Sequence, residues 1–140
     1  MVVDTSAVIA ILWNEPERHP FVAAVQADAT RLISAGSALE AAVVVMRRTG
    51  PETASRAAAE LDAVMNQLGL AIEPVTAAQA GIAREAYRRY GKGCHRAGLN
   101  FGDCLAYALA KDSDEPLLFK GGDFALTDVI PVPVKPGTMP

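Results

Sequence analysis

The sequence predicts an α/β fold in which a short central parallel sheet is flanked by helices on both faces. Two observations carry that prediction. Short apolar runs of strand type alternate along the chain with longer, alanine-rich stretches of helical type, the pattern of a parallel sheet covered on both sides. The composition, 51% apolar and 21% charged over 140 residues, suits a folded globular chain with one sizeable core and one domain spanning residues 1–140.

The elements follow in order. Residues 1–4 read as a short buried strand and 5–13 as a helix with Thr5 and Ser6 at its polar start. Glu15-Pro16 predicts a fresh helix start, and FVAAVQAD continues its apolar face to about Asp28. TRLISA alternates as a second strand; SALEAAVVVMRR is a helix from Ser37, ended by Gly50-Pro51, and a longer helix covers 52–68. LAIEPV is a third strand cut by Pro74, and TAAQAGIAREAYRRY a helix capped by Thr76 and stopped at Gly91. FGDCLAYALAKD is another helix, PLLFKGGDF a strand leaving through a glycine turn, and VIPVP a last extended segment. No internal repeat, low-complexity segment or linker interrupts this order.

Several functional classes are disfavoured. No apolar run approaches the about 18 residues of a membrane span, and the N-terminus has no charged region followed by an apolar one, which predicts a soluble, cytoplasmic protein without a membrane partner. Cys94 and Cys104 make no metal-finger spacing or disulfide framework; Cys104 reads as a small buried residue, and an intracellular protein would keep a Cys94–Cys104 bridge reduced. The net charge of −3 argues against a nucleic-acid coat protein. The charge is uneven, however. REAYRRYGKGCHR carries Arg84, Arg88, Arg89, Lys92 and Arg96 against Glu85 alone, so a basic strip adjoins a more acidic remainder; the ordinary reading of the strip is a solvated helix face.

In such a fold, ligands bind outside the carboxyl ends of the strands. Asp4 stands at the end of the first strand and Asp123 just beyond PLLF and Gly121-Gly122, while Glu40 and Asp103 fall near the starts of helices. Each has an ordinary role open to it: Asp4 as a helix cap, Asp103 at the positive end of a helix dipole, Asp123 in a turn and Glu40 on a helix surface. Glu40 is the hardest to assign that way, since ALEAAVVV sets it before five consecutive small or apolar positions. Convergence at the strand-end edge accounts for all four, because clustered carboxylates repel unless a cation lies among them. Hard oxygen donors of this kind suit Mg²⁺, with Mn²⁺ able to substitute, and point to metal-assisted phosphodiester chemistry.

MVVDTSAVIAIL, SALEAA, KGCHRAGLNFGDCLAYALAK and LLFKGGDFALTDV together resemble the PIN-domain ribonucleases, specifically the toxin subunit of VapBC-type toxin–antitoxin pairs, in family order over nearly the whole chain. The resemblance implies a PIN-like fold and an acidic quartet on Asp4, Glu40, Asp103 and Asp123, with Asp128 as a further metal-ligand candidate. It implies a metal-dependent endoribonuclease in which Asp4, Glu40 and Asp103 hold a first Mg²⁺, Asp123 completes the cage or forms a second position, and an activated water attacks phosphorus in line. Such an enzyme needs no catalytic histidine, and His19 and His95 have no obvious nucleophile beside them.

Thr5 and Ser6 become candidates to hydrogen-bond a ligand carboxylate or phosphate, with helix capping the other duty open to them. Asn100 is a candidate for similar support or for a turn. Arg84, Arg88, Arg89, Lys92, His95 and Arg96 become candidates for holding the RNA backbone. Tyr87 and Tyr90 are available to stack on bases or to pack in the core, and Trp13 to the core or an interface. The implied partners are RNA, a second copy in a homodimer and a small antitoxin protein covering the acidic pocket, with an arginine offsetting the same charge as the metal. For the dimer, the apolar helices over 7–13, 21–27 and 38–46 are candidate surfaces.

Two rivals follow from the same residues. An aspartyl phosphatase of haloacid dehalogenase type also begins with an apolar strand and Asp, but needs a second aspartate where Ser6 stands. A PIN-like domain that binds RNA or protein without cleaving would be marked by loss of an acid, and all four are present.

Overall fold

The computed structural model describes residues 1–137, so the last three positions of the predicted domain lie outside the described residues. Among these residues, β1 (Val2–Val3), β2 (Leu32–Ser34), β3 (Ala71–Glu73) and β4 (Leu117–Leu118) form one parallel sheet in the order β3-β2-β1-β4. The helices are α1 (Thr5–Leu12), α2 (Arg18–Ala27), α3 (Ala35–Thr49), α4 (Ala54–Gln67), α5 (Ala77–Tyr90) and α6 (Phe101–Ser113). None is long and apolar enough to cross a membrane.

Strand register explains why β1 and β4 are apolar throughout instead of alternating. Val2 pairs with Leu32 and Leu117, while Val3 pairs with Leu118. Successive strand side chains point to opposite faces. Val3, Ile33 and Leu118 enter a core built with α1 to α4, whereas Val2, Leu117 and partly buried Leu32 enter a second core under α5 and α6. Both faces of β1, β2 and β4 are therefore covered, as the sequence predicts, while the edge strand β3 stays largely exposed. Helix α1 lies deep in the first core with Ala7 to Ile11 all buried, which accounts for its nearly continuous apolar run. Trp13 packs half-buried at that core's edge, with the Arg48 guanidinium 4.0 Å from its ring centroid.

Several boundaries differ from the sequence reading. The strands are only two or three residues long, and PLLFKGGDF leaves the sheet after Leu118, so Asp123 precedes a 3₁₀ turn (Phe124–Leu126) instead of extending the strand. VIPVP contributes an isolated parallel bridge, with Leu117 N–H donating to Ile130 and Val132 N–H to Leu117. Helix α2 starts at Arg18, after a turn in which Asn14 takes a positive φ of 53°. Helix α3 starts two residues early because the Ser34 hydroxyl accepts from Gly36 N–H. Helix α4 begins at Ala54, later than its predicted start.

Candidate active site

The carboxyl edge of the sheet gathers helix beginnings. Asp4 follows β1 directly and caps α1: its Oδ2 accepts from Ser6 N–H at 3.0 Å and from Ser6 Oγ at 2.6 Å. Thus the capping role and the strand-end position coexist in one residue. The Asp4 main-chain N–H donates to Leu118, tying the edge of β1 to the end of β4. Thr5 is buried and donates through Oγ1 to the Ser37 carbonyl at 3.0 Å, drawing the start of α1 against that of α3. Ser6 Oγ also accepts from Lys120 N–H at 2.9 Å, which fastens the segment leading to Asp123 onto the hydroxyl that holds Asp4.

Helix α6 brings in Asp103 through a reciprocal cap. Asn100 Oδ1 accepts from Asp103 N–H, and Asp103 Oδ2 accepts from Asn100 N–H, both at 2.9 Å. One carboxylate oxygen of Asp103 is occupied in this way. Glu40, one turn into α3, reaches the same helix start. A methyl group on Gly102 would lie 1.9 Å from Glu40 Oε2, so the absence of a side chain there makes room for the carboxylate. A second glycine, Gly36, allows the two helices to close up, since a methyl group there would meet Leu105 Cδ1 at 2.3 Å.

The acids feel one another. Asp4 is 3% exposed, and its Oδ1 is buried without a hydrogen-bond partner. Burial, reinforced by the charges of Asp103 and Glu40, raises its pKa to about 6 against the opposing Ser6 hydrogen bonds. Asp103 is raised by burial and by the charges of Glu40 and Asp123, against the Asn100 N–H bond. The quartet therefore shares one electrostatic neighbourhood. Even so, no group of three or more His, Cys, Asp or Glu side chains among the described residues is gathered closely enough to hold an ion. The four acids share an edge here without closing into a cage, and the α6 cap engages one oxygen of Asp103.

Asp128 corrects the sequence reading. Its carboxylate accepts from Tyr107 Oη at 2.7 Å and pairs with Lys111 at 3.1 Å and Arg89 at 3.7 Å. Despite opposing desolvation, these partners hold its pKa below the usual carboxylate range; Tyr107 and Lys111 lie one and two turns along α6 from Asp103, and Arg89 comes from α5. Asp128 thus belongs to a cation cluster between α5 and α6, not to the acidic edge.

The basic strip divides as well. Arg88 is bound to Glu85, and Arg89 donates to Tyr90 Oη as well as pairing with Asp128. His95 Nδ1 accepts from Ala97 N–H while its ring meets Tyr90 edge-on, and Tyr90 is buried in the second core. Arg96 is exposed, whereas Arg84 and Lys92 line a groove with Tyr87 beside the start of α6. Cys94 and Cys104 are both free, with only Cys104 buried. Gly102, Gly36, Lys120 and Phe101 were not singled out by sequence reasoning. For Gly102 a signal existed in its place beside Asp103; the others depend on pairings between distant segments.

Comparison with known proteins gives a consistent result. The PIN domain family matches residues 1–130. Ribonuclease VapC30 of Mycobacterium tuberculosis is 52% identical over 132 residues, covering 94% of this chain and 98% of that protein. Ribonuclease VapC of Mycolicibacterium smegmatis is 53% identical over 132 residues, covering 94% and 99% respectively. Among solved structures, Mycobacterium tuberculosis VapC20, described as a sarcin-ricin loop cleaving toxin, shares the fold with a TM-score of 0.71 at 20% identity, covering 92% of this chain and 95% of that one. A chain from a toxin–antitoxin complex of Klebsiella pneumoniae gives 0.60 at 17% identity, covering 99% and 98%.

Proposed function

The chain belongs to the PIN-domain family, among the VapC ribonucleases, and on that premise we propose that it is a toxin endoribonuclease whose acidic edge of Asp4, Glu40, Asp103 and Asp123 hydrolyses RNA phosphodiester bonds with a divalent metal ion. We read residues 1–140 as one domain. The observation that carries the site assignment is the buried, unpartnered Oδ1 of Asp4, which shares a field of negative charge with Glu40 and Asp103. A buried oxygen in that setting is stabilised by a cation.

Enzymes of this family need a divalent metal, and the all-oxygen donor set favours Mg²⁺, with Mn²⁺ as a substitute. Asp4, Glu40 and Asp103 are the residues that would hold it, and Asp123 completes the negative edge. When bound, the ion supplies positive charge for the phosphate and lowers the pKa of a water nucleophile. The chain's own part is to fix the acids. Ser6 orients Asp4, the Asn100 cap orients Asp103, and Gly102 leaves room for Glu40. Thr5 holds the α1 and α3 starts together.

Its partner is an antitoxin, a reading supported by the toxin–antitoxin complex whose chain shares this fold. We assign the antitoxin's inhibitory contact to this edge, where a guanidinium offsets the charge that the metal offsets otherwise. A homodimer is the assembly we expect. Leu39 and Val43 of α3, 65% and 39% exposed, make the 38–46 helix the best supported of its candidate surfaces. Residues 7–13 and 21–27 instead contribute largely to the first core.

The test is cleavage of end-labelled RNA by purified, antitoxin-free protein, with Mg²⁺ or Mn²⁺ against chelator and with Asp103→Asn prepared identically. Cleavage should require metal and Asp103 and leave 5′-phosphate and 3′-hydroxyl ends. Cyclic phosphate ends would mean attack by the 2′-hydroxyl and overturn the mechanism. RNA bound but never cut across diverse substrates would favour the non-catalytic reading.

A further inference from the structure

We propose that the groove between α5 and the start of α6 is a nucleobase subsite that seats one unpaired base of the RNA beside the acidic edge, an inference that rests on the ribonuclease reading. The groove holds about 640 Å³, within the range of small-ligand sites, and no acid lines it. Its walls are mostly apolar, with Val75, Ala83 and Leu105 beside the rings of Tyr87 and Phe101, and two cations, Arg84 and Lys92, also line it.

Each component is available to a ligand. Phe101, the first residue of α6, is 81% exposed, and Tyr87 is 44% exposed. Among the described residues Arg84 and Lys92 form no ion pair, whereas neighbouring Arg88 and Arg89 are paired to Glu85 and Asp128. Tyr87 is also held in place. A methyl group on Gly91 would lie 2.8 Å from Tyr87 Cδ2, so the ring packs against bare backbone, and Tyr87 Oη donates to the Lys92 carbonyl at 3.3 Å. A ring fixed before binding loses little entropy when a base stacks on it.

Position relative to the acids decides what the groove serves. Asn100 lines the groove and, through its reciprocal cap, also fixes Asp103; Phe101 follows it, and Gly102 lies under Glu40. A base on the aromatic side therefore brings its own backbone toward the carboxylates. Arg84 and Lys92 offset the repulsion between that backbone and the acidic edge. Aromatic walls with flanking cations are the chemistry that binds splayed, single-stranded bases. Of the basic strip, Arg84 and Lys92 are the two cations that flank this groove, while Arg96 stays exposed outside its lining.

The experiment is a cycle of protein and substrate changes. Wild-type protein first maps a cut site in a single-stranded RNA loop, and abasic residues are then introduced singly at the flanking positions. Tyr87→Leu and Phe101→Leu should each lower kcat/KM on intact RNA by roughly 5- to 100-fold, the range expected for one stacked base, with Tyr87→Phe retaining activity. On the RNA abasic at one flanking position, the Leu variants should cause no further loss. Equal losses on intact and abasic RNA, or no loss at all, would overturn the subsite. Loss that ignores the base but accompanies a change of oligomeric mass in analytical ultracentrifugation would assign the groove to a second copy instead. If wild type cuts no RNA, the ribonuclease reading falls and takes the subsite with it; cleavage that the Leu variants leave unchanged removes the subsite alone.

Discussion

The carboxylate of Glu40 lies against the α-carbon of Gly102, so close that a methyl group there would be 1.9 Å from Oε2. Two helices from opposite sides of the sheet, α3 and α6, meet at their first turns, and the contact sets Glu40 beside Asp103 at the positive end of the α6 dipole. Gly36 makes the matching approach from the α3 side, against Leu105. Two acids distant in sequence share an edge because two side chains are missing.

Gly102→Ala should therefore separate activity from stability. The obstructed atoms are the far end of a flexible side chain, so Glu40 can swing away while the backbone stays. Helix propensity favours Ala by up to about 1 kcal/mol, which offsets much of the strain. Thermal melting should change little, while the metal-dependent cleavage rate falls by about 10-fold or more, comparable to loss of an orienting contact in a metal site. Equal activity with wild type at saturating Mg²⁺ would show that Glu40 is not needed where the structure puts it.

Asp4 predicts a pH dependence of folding. Its folded-state pKa is about 6 against an ordinary 3.8, so between these values the folded state binds the proton more tightly than the unfolded state does. Stability contributed by the protonated form is present at low pH and is lost as pH rises from about 4 through about 6, by roughly 2–3 kcal/mol. Asp4→Asn should flatten that part of the urea-melting profile and raise stability at pH 7, while abolishing cleavage. Mg²⁺ should stabilise wild type at pH 7 and leave Asp4→Asn nearly unaffected.

Much of this edge was legible because strand ends and helix starts leave local marks. Asp4 follows an apolar strand and precedes a helix, and Asp103 stands three residues after Asn100, where a reciprocal cap forms. The two-sided burial of the sheet also shows in the unbroken apolar runs around Val2-Val3 and Leu117-Leu118. Strand length was not legible, since two residues carry no periodicity and only pairing ends them. Nor was the fate of Asp128, whose partners Arg89, Tyr107 and Lys111 come from two other helices. The basic strip looked uniform in sequence, yet Glu85, Tyr90 and Asp128 engage Arg88 and Arg89 and leave Arg84 and Lys92 at the groove.

Ser6 joins two parts of the edge through one hydroxyl, donating to Asp4 Oδ2 and accepting from Lys120 N–H. Ser6→Ala removes a bond that lowers the Asp4 pKa, so the acid limb of the pH–rate profile should move to higher pH. The Lys120 main chain loses its acceptor at the same time, though Lys120 Nζ keeps its pairing with Glu15 and Glu17. Cleavage at pH 7 should fall several-fold and recover in part at pH 8.5. A uniform loss with no movement of the limb would assign Ser6 to holding the Asp123 segment alone.

Asp128 separates a ligand from a structural carboxylate most directly. Were it part of the metal set, Asp128→Asn would abolish cleavage as Asp103→Asn should. The structure instead gives its oxygens to Tyr107, Lys111 and Arg89, and the pairings are partly exposed, so their loss should cost only about 1 kcal/mol after solvent screening. Because those pairings hold its pKa low, their stabilisation is present at neutral pH and fades as pH falls through the folded-state value below 3.8. The expected result is a modest fall in melting temperature at pH 7, a smaller difference from wild type in acid, and cleavage per folded molecule within about threefold of wild type by order-of-magnitude reading of a loss that misses the reacting groups. Cleavage reduced as severely as in Asp103→Asn, with folding intact, would return Asp128 to the acidic edge.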